Sequence, residues 1–350
     1  MKPNTDMNSS AVNRLIDDVE ATPEIDNLAP GGAESNSTDS EDESDALIAI
    51  LRKKRGGECK EKTPVRERKL PATQEGFVLK KRLRDRPRPS ARTNLLDFSF
   101  ENPFDGKFKD IDCVKRLLED YPTDVHVAPT SYCHYGYCYR KRTVFISTLG
   151  AFTPKGPCPS PACSTRLIGG THRGTVVECD VAQKNSIPPL LVDLIIGAWT
   201  AAHSHTASHF LIVDIFSGWG SVASRVAERW PCVRIYSNDI VQRDHIDVQL
   251  DMRTAWNPGM ILVLALQKHW PDEFISERGD GIGPFEWARD NKVAVLFHCS
   301  TPCDTYSTNG LSTHRISGTT TPKTQKARDA DAMNARLINY FRQTVLGETT

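Results

Sequence analysis

The stretch "LIVDIFSGWGSVASRVAERW" (211–230) decides the fold. An apolar run of strand type passes through a turn containing Gly218 and Gly220 into apolar residues at helical spacing. Glycine permits tight turns and close approach of a ligand, and the helix N-terminus behind such a turn offers unpaired N–H groups. A Gly-x-Gly by itself is weak evidence of a nucleotide-type site, so its surroundings matter. The next apolar run, "VRIYSN" (233–238), ends at Asp239, where an acid suits hydrogen bonds from ribose hydroxyls. Asp251, in "VQLDMR" (248–253), stands where a third strand would end.

Outward from this unit, "LLDFSF" (95–100), "RTVFIST" (142–148), "HFLIVDIF" (209–216) and "KVAVLFHC" (292–299) also read as buried strands. Helical patterns fall near 111–120, 188–202, 221–230, 257–269 and 326–345. Strands alternating with helices predict a doubly wound, Rossmann-like α/β domain over 95–350.

The chain has 44 Lys+Arg and 44 Asp+Glu, a formal net charge of zero. A balanced total argues against a bulk nucleic-acid condenser, but the balance is a sum of unlike parts. Residues 1–51 carry a net −10 and, with "GGAESNSTDSEDESD" (31–45), read as an acidic disordered tail. Residues 52–94 hold clusters such as "KKRLRDRPRPSAR" (80–92), with a net +11 over 52–92. They read as a charged linker, a nuclear-targeting signal or a phosphate-binding arm. The most apolar stretch, "SIPPLLVDLIIGAW" (186–199), is short for a membrane span and interrupted by proline, so no membrane partner and an intracellular, soluble protein are expected. Ten cysteines in a chain of 350 residues fall short of a disulfide scaffold, so reduced thiols are expected.

Within "VAVLFHCSTPCDTYS" (293–307), Cys299 lies inside the strand and reads as inert; Cys303, after Pro302, sits at a strand end where a nucleophile needs to be. The segment 149–183 contains Cys158 and Cys163 with His172 and Cys179 beyond, and Cys133 and Cys138 precede it. Thiolates and imidazole suit tetrahedral zinc, so Cys158, Cys163 and His172 are candidate ligands, against scattered thiols as the plainer reading. "HSHTASH" (203–209) reads as a solvated polar loop rather than a metal site. The Gly/Ser/Thr-rich segment 307–326 suits either a mobile lid or a flexible connection, and 270–291 suggests no function.

"DIFSGWG" (214–220) resembles the first motif of the cytosine-5 DNA methyltransferases, Asp-x-Phe-x-Gly-x-Gly. The resemblance implies S-adenosylmethionine contacts for Asp214, Phe216, Gly218 and Gly220, with Asp239 at the ribose and Asp251 near the adenine. "TPCDTYS" (301–307) resembles the family's nucleophile motif, with Tyr306 in place of Phe, and makes Cys303 the nucleophile. Glu101-Asn102-Pro103 in "FSFENPFDGKF" (98–108) resembles the acid motif, and "SYCHYGYCYRKRTVFIST" (131–148) the basic motif, with Arg140 and Lys141 as candidate aids to the base or phosphate contacts. "KNSIPPLLVDLI" (184–195) is similar to the closing motif and carries over Asn185 and Ser186 to the cofactor, with Lys184 replacing the usual Gly. The motif order is the family's order cut between nucleophile and acid strands, which implies a circularly permuted, compact methyltransferase-like domain with 149–183 as a short recognition insert. DNA is the implied partner. An RNA cytosine methyltransferase, or a domain that binds without catalysis, fits the same motifs.

Overall fold

Residues 95–159, 163, 172, 181–254, 257–278, 282–302 and 304–347 are described by a computed structural model. The acidic and basic N-terminal segments, Cys179 and Cys303 lie outside the described residues. The chain runs through β1 (Leu96–Pro103), α1 (Asp112–Asp120), β2 (His126–Ser131) and β3 (Arg142–Ser147), then α2 (Val181–Asn185) and α3 (Pro189–His203). The middle part is β4 (His209–Ile215), α4 (Ser221–Arg229), β5 (Val233–Asp239), β6 (Val248–Gln249) and α5 (Pro258–His269). It ends with α6 (Pro271–Arg278), α7 (Pro284–Asp290), β7 (Val293–Cys299), α8 (Thr308–His314) and α9 (Gln325–Thr344).

The seven strands form one sheet in the order β2-β3-β1-β7-β4-β5-β6. Pairs β1–β7, β7–β4, β4–β5 and β5–β6 are parallel, and β3 runs antiparallel to both neighbours. This mixed α/β, mostly parallel sheet is compatible with a Rossmann-like fold. Strand β7 is buried at every residue, which explains why it reads as a continuous apolar run. Strand β2 carries Pro129 and escaped the reading of the sequence; it is an edge strand, where proline is tolerated because one row of N–H groups has no partner strand.

Strand alternation gives the sheet two different faces. On one, Ile212 and Leu296 pack with Leu191, Val192, Ile195, Ile196 and Trp199 of α3. The stretch Ala182–His203 is apolar and long enough to cross a membrane by length and composition; here it is two helices, and five apolar side chains of α3 are buried. On the other face, Phe341 of α9 stacks on Phe98 at 5.2 Å and meets Phe297 at 5.3 Å and Phe100 at 5.6 Å. The C-terminal helix thus covers the first described strand.

Two segments have structure that the sequence left open. The described residues between 270 and 291 include α6 and α7; buried Trp287 packs against buried Phe274 at 5.4 Å and against Trp270 at 6.0 Å. Residues 307–326 contain α8 and a bridge between Arg315 and Pro322, with Arg315 fully buried, so this is an anchored segment rather than a plain flexible connection.

Phe341→Ala removes a buried ring from four aromatic neighbours, Tyr340 included, and is expected to cost about 3–5 kcal/mol in urea unfolding. Ile316→Ala, at an exposed position, should change stability by less than about 0.5 kcal/mol.

Candidate functional site

Strand register brings the distant motifs to one edge of the sheet. Ile215 is level with Asn238 and with Cys299, Cys299 is level with Phe100, and Pro103 is level with Thr143. The turn after β4, Asp239, the segment after β7, Glu101 and the start of β3 therefore emerge together. Outside the carboxyl ends of parallel strands is where open α/β sheets bind ligands.

The turn after β4 is strained. Phe216, Gly218 and Gly220 have φ of 62°, 58° and 72°. Positive φ is costly for a side chain such as Phe216 and persists only where surrounding contacts impose it. They include Ser217 N–H donating to Asn238 O (3.0 Å) and Gly218 N–H donating to Asp239 Oδ2 (2.8 Å). A Cβ on Gly220 would fall 2.6 Å from the His245 ring, so both conformation and packing require glycine there. Asp239 accepts from Val241 N–H through its other oxygen (2.9 Å). The acid expected at a ribose thus also ties the glycine turn to the end of β5. Asp251 lies farther out, chelated by Arg253, whose guanidinium holds its carboxyl below the ordinary range. Asn185 is exposed at the end of α2, and Ser186 Oγ donates to Ala182 O (2.6 Å). Ile187 N–H donates to Ser221 Oγ (3.2 Å), joining the closing motif to the first residue of α4.

Behind the edge, a polar row crosses the sheet. Ser147, Ser99, His298, Asp214 and Ser237 are level on five adjacent strands, and all are buried. Ser147 Oγ, Ser99 Oγ, His298 Nδ1, Asp214 Oδ2 and Ser237 Oγ have no hydrogen-bond partner among the described residues. Burial pushes Asp214 up to about 7 and His298 down to about 4, each in the direction that removes its charge.

On the acid side, Glu101 is buried and its Oε1 accepts from the Tyr132 hydroxyl (2.9 Å). Lys141 Nζ stands 3.6 Å from the same oxygen, 4.8 Å over the Tyr132 ring, and donates to Lys184 O (3.4 Å). Burial and the Glu101 charge push the Tyr132 phenol well up, so it stays a donor. Arg140 is exposed and takes no part in this cluster. Asn102 Nδ2 donates to Thr301 Oγ1 (2.5 Å), which ties the acid strand to the segment leading to Cys303. Beyond it, Arg315 donates to Asp331 (2.7 and 3.0 Å) and to Thr305 O (3.0 Å), and Tyr306 donates to Asp331 (2.7 Å). Cys299 is fully buried and its thiol is pushed well up, as expected of an inert thiol. Reading the sequence gave no role to Tyr132, Thr301, Arg315 or Asp331; Tyr132 and Thr301 lie inside recognised motifs, whereas Arg315 and Asp331 lie in none.

A second cluster lies next to Tyr132. The ligand atoms of Cys133, Cys158, Cys163 and His172 all lie within 4.8 Å of one another, a set that could hold a metal ion. The candidates Cys158, Cys163 and His172 meet as expected, and Cys133 is the fourth member. Cys138 is exposed and outside the set. In "HSHTASH", His203 is not a solvated loop residue: it ends α3 and pairs with Asp97 at 2.6 Å. Comparison with protein-family models, curated proteins and solved structures returned no match.

Asp214 and His298 push stability in opposite directions with pH. The raised acid binds a proton in the folded state that the unfolded chain has released, so its contribution is lost as pH rises from about 4 to 7. The depressed His298 stays neutral while the unfolded chain protonates near 6.5, so its contribution is lost as pH falls from about 6.5 to 4. The two offset each other in the wild type. Asp214→Asn should uncover a loss of about 3 kcal/mol between pH 6.5 and 4 in urea unfolding, and His298→Asn should reverse the slope.

Proposed function

We propose that the chain is a circularly permuted cytosine-5 methyltransferase that uses S-adenosylmethionine to methylate cytosine in DNA. The observation that carries the reading is the hydrogen bond from Asn102 to Thr301, 199 residues apart, which joins the acid motif to the nucleophile segment. The sheet adds support. Counted from β4, with β1 following β7, the strand order becomes 3-2-1-4-5-7-6. That is the dinucleotide-fold order 3-2-1-4-5-6 with one antiparallel strand inserted. Helix α9 then stands where a β7-to-β1 crossover helix belongs, packed on Phe98 through Phe341.

The cofactor expectation fits the residues present. Three left-handed residues open the chain before α4, and the orphaned Oδ2 of buried Asp214 lies at the same strand end. Phe216, Gly218, Gly220 and Asp239 would hold S-adenosylmethionine, with Asn185 and Ser186 enclosing it. Asp251 serves the adenine end once its pair with Arg253 opens. When bound, this cofactor supplies the methyl group.

Cytosine must leave the base stack to reach the site. The Cys303 thiolate bonds to ring carbon 6, and the displaced electron pair makes carbon 5 nucleophilic. Tyr132 and Lys141 both address Oε1 of Glu101, which leaves a protonated Oε2 to give its proton to ring nitrogen 3 as the thiolate adds, and to take it back when the thiolate leaves. After carbon 5 has taken the methyl, a water molecule accepts its proton, and the electron pair left behind restores the ring double bond and expels the Cys303 thiolate. Zinc is the metal we assign to the Cys/His cluster, as scaffold rather than reactant.

DNA carrying 5-fluorocytosine has no proton to lose at carbon 5, so with donor present it should remain bonded to the protein in a mass spectrum. Cys303→Ala should give no adduct, and Glu101→Gln should slow its formation by about 10²–10⁴-fold. An adduct retained by Cys303→Ala contradicts the assignment.

A further inference from the structure

Tyr132, which holds Glu101, is the chain neighbour of Cys133, and Cys133 belongs to the sulfur cluster. We infer that Cys133, Cys158, Cys163 and His172 bind one zinc ion, and that this ion fixes the position of Tyr132 against Glu101.

The donor set is selective: three thiols and one imidazole, without a carboxylate, suit zinc over harder cations. Four protein ligands close the coordination shell, which marks a structural site. The spacing agrees with the ion's size. With zinc–sulfur near 2.3 Å and zinc–nitrogen near 2.0 Å, a tetrahedron has a sulfur–nitrogen edge of about 3.5 Å. Cys158 Sγ and His172 Nε2 are 3.5 Å apart. The other ligand atoms lie within 4.8 Å of one another, close enough to gather round one ion by side-chain adjustment.

The surroundings are built to hold the site. Cys158 N–H donates to Ser131 Oγ (2.9 Å), Thr130 Oγ1 donates to Lys155 O (2.5 Å), and Lys155 N–H donates to the Tyr135 hydroxyl (2.7 Å). Residues 155–158 are thus fastened to 130–135 from both sides of Cys133. Within that span Tyr132 N–H donates to Lys141 O (3.0 Å), so the same turn positions both residues that address Glu101. An ion drawing Cys133 toward the later ligands restrains Tyr132 directly through the backbone. Tyr132 acts here as a positioning residue, and this second half of the inference rests on Glu101 being the catalytic acid; the metal site itself does not.

The test uses the full-length protein and readouts independent of methyl transfer. Elemental analysis of purified protein should find one zinc per chain, and cobalt(II) in its place should give the intense visible bands of a tetrahedral thiolate site. Cys133→Ser should lower zinc affinity by at least tenfold, while Cys138→Ser should leave it unchanged; His172→Cys, which keeps four soft ligands, should retain the ion. Should Cys133→Ser fail to fold, the cobalt spectrum of the wild type and the His172→Cys variant still decide. Absence of zinc and of the cobalt bands overturns the site. For the coupling, 3-fluorotyrosine is incorporated and the Tyr132 fluorine resonance is assigned by its loss in Tyr132→Phe. It should shift in Glu101→Gln and on removal of zinc with a mercurial and chelator. A resonance that stays in place when zinc leaves overturns the coupling. Failure of DNA methylation would leave all these results unaffected, so the two readings fail separately.

Discussion

Parallel pairing of β1 with β7 is the constraint on which the site depends. It sets Phe100 level with Cys299. The next residue of one strand is Glu101, and the other continues toward Thr301. Two segments from opposite ends of the described chain thereby become neighbours, close enough for Asn102 to bond Thr301. Non-local pairing of this kind carries a loop-closure cost that local contacts do not. Phe341 helps to offset it by filling the space over Phe98, Phe100 and Phe297.

The proposed function gives a place to two local costs in the structure. A left-handed Phe216 and a row of buried polar atoms with no partner among the described residues both work against stability. Both lie at or just beneath the edge where the strand ends converge. Strained and under-satisfied positions gather at functional sites because surrounding structure can hold them there. Asp214 and His298 are the sharpest case, since burial drives both toward neutrality.

Much of the sheet was legible because its physics is local. β7 is buried at every residue and apolar but for His298, and β4, the glycine turn and α4 follow one another within 209–230. β2 was hidden by Pro129, which signals a break but sits harmlessly on an edge. The candidate site was legible motif by motif but not in its contacts. Tyr132 and Glu101 stand 31 residues apart, and Arg315 and Asp331 16 apart, and no spacing rule predicts either pair. Cys158, Cys163 and His172 were legible as ligand types; that Cys133 joins them depends on how β2 turns toward β3. The anchoring of 307–326 was not legible, because fully buried Arg315 pairs with Asp331, a half-buried acid 16 residues further on that a local reading could not see.

Methylation of DNA is the central claim, and labelled methyl transfer tests it most directly. Full-length protein is incubated with tritiated S-adenosylmethionine and with DNA or transfer RNA in parallel, and the acid-hydrolysed bases are separated. The account predicts label in 5-methylcytosine from DNA; label confined to RNA, or absent from both while the donor still binds, would contradict it.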